Sequence, residues 1–191
     1  HYEKTYCLTT SLSVIDSYLI VSDSNQAITV YVVTEDFIEE VDRDGSQRGI
    51  SAIGIINNYI FAADYSNCIA IYSLPIDGSL KHVGEFVAVS RVLSFTNLGR
   101  KLIYGTEGGA IGSFRVVVNR ASELRELSEA IDNEGFCFIN HRVPDGKFEW
   151  NDQNMIVDLD NLQIAFHDKE LLQKLRKDRE ETKALIESLY D

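Results

Sequence analysis

At 191 residues, with 45% hydrophobic and 25% charged side chains, the chain can form one sizeable core or two small ones, and its composition excludes a disordered polypeptide. A net charge of −12 is spread over both halves, with 13 acids and 8 bases in residues 1–118 and 17 and 10 in residues 119–191. That balance disfavours direct nucleic-acid contact, because phosphate affinity comes from lysines and arginines that displace counterions, and it points to protein partners instead.

The N-terminus, His1 to Tyr6, has no charged region followed by an apolar one, so it does not read as a secretion signal. No apolar run approaches the roughly 20 residues that span a bilayer. The first residue is His1 and not Met, which points to a segment of a longer chain or a processed product.

In chain order, residues 7–10 read as a strand remnant, and 12–15, 18–22, 27–33 and 36–41 as four strands separated by polar turns. The stretch Asp42 to Ser46 reads as a polar loop. Strands at 50–56, 59–63, 68–74 and 80–86 follow, with Asn57-Asn58 and Asp77-Gly78 as turns. A third set comprises 89–95, 101–105 and 110–118, turned by Gly99 and Gly108-Gly109, and Gly112 marks a bulge or a close backbone approach.

These sets are copies of one another. Stepping back 41 positions takes Tyr59, Asp64, Ile69, Ile71 and Tyr72 to Tyr18, Asp23, Ile28, Val30 and Tyr31. Stepping forward 42 takes Ile60, Asp64, Ile69 and Tyr72 to Leu102, Thr106, Ile111 and Phe114. A period of about 40–45 residues in which apolar residues alternate with period two is the signature of β-propeller blades. An acid recurring at the same place in successive copies reads as turn chemistry, since its carboxylate can cap backbone amides.

Beyond residue 118 the periodicity becomes helical. Asn119 to Ile131 carries Leu124, Leu127 and Ile131 on one face, residues 133–155 form a long irregular connection with Phe148 and Trp150, and Met155 to Phe166 shows a second helical stripe. Asp168 can cap a final helix from Lys169 to Tyr190, whose apolar positions Leu171, Leu172 and Leu175 resume at Leu185, Ile186 and Leu189 after a charged interruption from Arg176 to Lys183.

Sites for chemistry are not apparent. Cys7, Cys68 and Cys137 are odd in number and lack a Cys-x-x-Cys spacing, which argues against a disulfide framework or zinc site, and Cys68 reads as a small buried hydrophobe. His1, His82, His141 and His167 have no second metal-type ligand at a suitable spacing, no Gly-x-Ser-x-Gly elbow is present, and no pair of carboxylates stands apart from the 30 acids. Gly108-Gly109-Ala110-Ile111-Gly112 lacks the Lys-Ser/Thr of a phosphate loop. No cofactor or metal is expected.

Several fragments resemble the C-terminal part of the three-propeller scaffold family. They are Tyr18 to Asp23, Ala63-Asp64 with Asn67, Leu74-Pro75, His82 to Glu85, Val92 to Ser94, Leu102 to Tyr104 and Gly109 to Gly112. The family includes the large subunit of damaged-DNA-binding protein, the largest subunit of cleavage and polyadenylation specificity factor, and the propeller subunit of the spliceosomal branch-site complex. The family's Ile-Asp-Gly-Asp-Leu motif appears only as Val157-Asp158-Leu159-Asp160-Asn161.

The expected fold is thus mainly β, a partial β-propeller of about three blades over residues 1–118 followed by an α-helical C-terminal domain over residues 119–191. The resemblance implies a non-enzymatic scaffold in the nucleus, with pre-mRNA splicing preferred and a ubiquitin-ligase adaptor in DNA repair or a cleavage and polyadenylation subunit as alternatives. Upstream blades or a partner chain would complete the ring. Leu171, Leu175, Leu185 and Leu189, with Phe148 and Trp150, are the candidate protein-binding residues. A hydrolase with a propeller-like domain is the rival from another class, and it requires a clustered acid pair or a metal site.

Overall fold

The computed structural model describes residues 8–25, 28–45, 49–116, 123–124, 126–127, 141–142, 167, 173 and 179–188. The chain divides into two compact units, His1–Val116 with Arg142–Phe148, and Val117–His141 with Glu149–Asp191.

The first unit holds three antiparallel sheets, one for each copy of the repeat. The first sheet is β1 (Thr9–Ile15), β2 (Tyr18–Asp23), β3 (Ile28–Val33) and β4 (Ile38–Asp44), paired in sequence order. The second contains β5 (Ile50–Ile56), β6 (Tyr59–Asp64), β7 (Cys68–Ser73) and β8 (Lys81–Val87), with a two-residue strand β12 (His141–Arg142) next to β8 in the strand order. The third is β9 (Val92–Leu98), β10 (Lys101–Thr106) and β11 (Ile111–Arg115).

The period reaches single dihedrals and hydrogen bonds. Asp16, Asn57 and Gly99, spaced by 41 and 42, all take positive φ (50°, 53° and 57°) in the first hairpin of their sheets, a conformation that Asn, Asp and Gly tolerate best. Equivalent amides donate to equivalent carbonyls: Ser24 to Leu8 at 2.9 Å, Tyr65 to Gly49 at 3.2 Å and Glu107 to Arg91 at 2.8 Å. Register irregularities recur too, between Val30 and Tyr31 and between Ile71 and Tyr72.

The sheets meet face to face. Ile20, Ile28 and Val30 of the first sheet form one buried cluster with Ile50, Ile53, Ile60, Ala62, Tyr72 and Leu74 of the second sheet and its outgoing loop. The opposite face of the second sheet meets the third through rings, with Phe61 4.7 Å and Phe86 5.3 Å from Phe114, and Tyr104 5.3 Å from Phe114. Gly112 lies opposite Tyr104 in the ladder, and a Cβ there would overlap the Tyr104 ring; this is the close approach the sequence anticipates, with no bulge.

Two expectations are corrected. The β-rich part is three separate sheets that do not close into a ring, so the partial propeller is not the fold. Strand alternation specifies which face of each sheet is apolar, but closure depends on the angle at which successive faces pack, and that is not written in the alternation. In place of an α-helical C-terminal domain, the described residues contain one helix with defined bounds, α1 (Arg179–Glu187), a single nine-residue element.

The helix α1 runs through part of the charged stretch read as an interruption. Glu180 and Glu181 in its first turn suit the positive end of the helix dipole, and Thr182, Leu185 and Ile186 are buried. Glu123, Leu124, Glu126 and Leu127 are also helical, with both leucines buried. Strand boundaries move as well. β1 runs unbroken over Thr9–Ile15 where a remnant at 7–10 and a strand at 12–15 were expected, β4 is Ile38–Asp44 and takes in Asp42, Arg43 and Asp44, which were expected to form a loop, and β9 is Val92–Leu98 and not 89–95.

Candidate interaction surface

Among the described residues, several buried or half-buried polar side chains hold the backbone in place. Asp64 is buried and its Oδ1 accepts the amides of Ser66 at 2.6 Å and Cys68 at 2.9 Å, closing the β6–β7 turn. Its counterpart Asp23 accepts the amide of Asn25 at 2.9 Å, and Thr106, third in the series, accepts the amide of Ala110 on Oγ1 at 3.1 Å. The recurring residue is turn chemistry, as its periodic placement implies.

Two further acids join the first sheet to the second. Asp42 Oδ2 accepts the amide of Leu80 at 2.7 Å, and Asp44 Oδ2 accepts the hydroxyl of Tyr72 at 2.6 Å. Cys68 is a buried free thiol that donates to Glu85 Oε2 at 3.4 Å, and His82 stands edge-on to Tyr72 at 5.2 Å. Among the described residues no group of three or more His, Cys, Asp or Glu could hold a metal ion. Burial raises the Tyr59 phenol above its ordinary value. Hydrogen bonds from the Ser79 hydroxyl and amide hold the exposed Asp77 below the usual aspartate range.

What the frame presents is a set of loops. Antiparallel pairing puts the β2–β3, β6–β7 and β10–β11 turns at one end of the sheets, together with the connections into β5 and β9. At this end Tyr65 is half-exposed, Val89 is 81% exposed, and the Arg91 guanidinium lies 5.7 Å from the centroid of the Tyr65 ring. Arg91 Nη2 also pairs with Glu107 Oε1 at 3.3 Å, and Ser90 Oγ accepts the amide of Gly108 at 3.0 Å, so the turns of the second and third sheets brace each other. The Arg91 Nε is buried with no hydrogen-bond partner among the described residues. Tyrosine and arginine side by side, on loops braced by these contacts, form the composition that dominates protein–protein contact energies.

The opposite end carries Ile76, 98% exposed in the β7–β8 loop. The Tyr18 hydroxyl donates to the Ile76 carbonyl at 2.7 Å, and Gly78 with φ of 78° packs against the Tyr18 ring, which holds this apolar tip in place.

Of the six residues singled out from sequence, Leu171, Leu175, Leu189, Phe148 and Trp150 lie outside the described residues. Leu185 is buried on α1, a side chain already engaged in packing. Tyr65, Val89 and Arg91 were not singled out from sequence, yet a signal exists. The residue after the recurring turn position varies, Ser24, Tyr65 and Glu107, within an otherwise repeated frame, and variable loops on a repeated frame are where binding residues collect.

No model of a known protein family matches the chain, and no curated protein matches it. Among solved structures it is similar to the crystal structure of the computationally designed Ika8 protein, at 14% identity and a TM-score of 0.48, over 56% of this chain and 33% of that one. The match therefore spans about a third of the designed protein's length, and a likeness at this level carries no argument about fold or function.

Proposed function

We propose that the chain is a non-enzymatic scaffold subunit that holds proteins together in a nuclear assembly, with the branch-site recognition complex of pre-mRNA splicing as the preferred setting. The observation that carries the scaffold reading is the Tyr65, Val89 and Arg91 surface, presented by turns whose carboxylates and hydroxyls are spent on fixing the backbone. An acidic chain with such a surface suits protein partners better than phosphate. The choice of assembly rests on the resemblance of fragments such as Tyr18 to Asp23 and His82 to Glu85.

The test is affinity purification of the protein from nuclear extract, with mass spectrometry of what accompanies it. Branch-site splicing proteins are the expected companions. Cullin and ligase subunits would move the assignment to the ubiquitin-ligase adaptor, and cleavage and polyadenylation proteins to the third relative. The double variant Tyr65→Ala with Val89→Asp should keep its fold and lose the companions; retention of the full set would remove this surface from the argument. A protein recovered alone would overturn the scaffold reading.

A further inference from the structure

The end of the sheets opposite Tyr65 and Arg91 carries an apolar tip that the fold holds in place without burying it. Ile76 is 98% exposed, so its side chain contributes almost nothing to the core. Its backbone, by contrast, is pinned at several points. The Gly78 amide donates to the Pro75 carbonyl at 3.0 Å, the Tyr18 hydroxyl donates to the Ile76 carbonyl at 2.7 Å, and Asp77 Oδ1 accepts the Ser79 amide at 3.1 Å and the Ser79 hydroxyl at 2.7 Å. Gly78 is buried with a φ of 78°, and a Cβ there would overlap the Tyr18 ring and Val41 Cγ1. Asp42 of β4 fastens the far side of the loop through the Leu80 amide. The loop that carries Ile76 is thus tied to both β2 and β4.

Val41 is the extra residue at the irregularity in β4, since Val30 pairs with Asp42 and Tyr31 with Glu40. Val41, 40% exposed, lies against Gly78 beside the half-buried Tyr18 ring, and with Ile76 they line one apolar strip at the rim between the first and second sheets. Glu39 pairs with Val32, which pairs with Tyr18, so the exposed Glu39 stands on the same face as that ring. The chain around the strip, Asp16-Ser17 and Thr34 to Val41, holds Asp16, Glu35, Asp36, Glu39 and, facing away, Glu40, and it contains neither lysine nor arginine. Exposed Asp77 adds a carboxylate beside Ile76, offset by Lys81 at the start of β8, and Arg100 and Lys101 lie at the corresponding turn of the third sheet.

We propose that this strip docks a basic segment of another protein, in which lysine or arginine flanks a bulky apolar side chain that packs on Ile76, Val41 and the Tyr18 ring. The occupant is basic because the rim is acidic: its carboxylates attract a cationic segment and repel an acidic one, a second copy of this chain of net charge −12 included. A tip already fixed by the fold loses little conformational freedom on binding, so more of the apolar contact is retained as affinity. The site stands independently of the Tyr65 and Arg91 loops, which lie at the other end of the strands.

Selection of a random peptide library on the full chain, with counter-selection on Ile76→Asp, tests this. Surviving peptides should share lysine or arginine on either side of an aliphatic or aromatic residue. Fluorescence anisotropy with the consensus peptide should then show that Ile76→Asp weakens binding by about tenfold or more and Glu39→Lys by about threefold to tenfold, with the wild-type affinity falling as salt is added. Ile111→Asp, at an exposed apolar position elsewhere in the unit, should leave the affinity unchanged. Survivors without a basic residue, or no survivors of the counter-selection, would overturn the proposal. So would a loss from Ile111→Asp equal to that from Ile76→Asp, or binding indifferent to both salt and Glu39→Lys. Glu39→Lys lies outside the loop, and it decides the matter if circular dichroism shows that Ile76→Asp has lost its strands.

Discussion

The two internal interfaces of the first unit share a backbone frame and differ in how they are filled. Between the first and second sheets the packing is aliphatic, Ile20, Ile28 and Val30 against Ile53, Ile60 and Leu74, and the rim is tied by Asp42 and Asp44 to Leu80 and Tyr72. Between the second and third sheets it is aromatic, Phe61, Phe86, Tyr104 and Phe114, with Gly54 and Gly112 yielding space to the rings. The same turn geometry therefore tolerates two packing solutions. Turn residues repeat because the backbone demands them, whereas facing side chains have only to fill the gap together.

The largest effect should come from the aromatic interface. Phe61→Ala removes a ring buried against Phe114, and urea unfolding should show a loss of about 3–5 kcal/mol, against about 0.5–1.5 kcal/mol for Ile20→Val in the aliphatic interface. Equal losses would mean that the two interfaces respond alike despite their chemistry. Next comes the polar tie: Tyr72→Phe deletes the hydroxyl donated to Asp44 and should cost about 1.5–3 kcal/mol by the same measurement, with the aromatic interface unaffected. A neutral result would show that water replaces the hydroxyl at the rim.

The turns should show a gradient. Asp64→Ala leaves the amides of Ser66 and Cys68 without their acceptor and should cost about 1–3 kcal/mol, more than Thr106→Ala, whose hydroxyl accepts the amide of Ala110. Thermal melts of the two variants would rank them, and a reversed order would break the gradient.

The smallest effect belongs to Asp77. Its folded pKa is lowered by the Ser79 hydroxyl and amide, so the ionised form is favoured in the folded state. Its contribution is present above the unfolded aspartate pKa and is lost as pH falls through the lower folded value, in a window below about pH 4. An NMR titration should place its midpoint under the usual aspartate value, and Ser79→Ala should move it back up.

Much of the frame was legible in the chain. The period predicted that Asp23, Asp64 and Thr106 stand at equivalent turns, and strands β2, β3, β5, β6, β7 and β10 fall within a residue of their expected bounds. The edges were less clear. Asp42 and Asp44 look like loop residues because they are acidic, but β4 extends through them since Leu80 and Tyr72 supply donors from the neighbouring sheet. Tyr65 and Arg91 are 26 residues apart in sequence, and only the stacking of the second and third sheets brings the guanidinium to the ring.

By itself the sequence determined the number of repeats, the strand faces and the turn positions, because each depends on contacts within one copy or on the dihedral preference of single residues such as Asn57 and Gly99. Only the tertiary structure decided that the sheets do not close, that one interface is aliphatic and the other aromatic, and which loop residues meet. Those outcomes depend on how faces from different copies fit together, which no local pattern specifies.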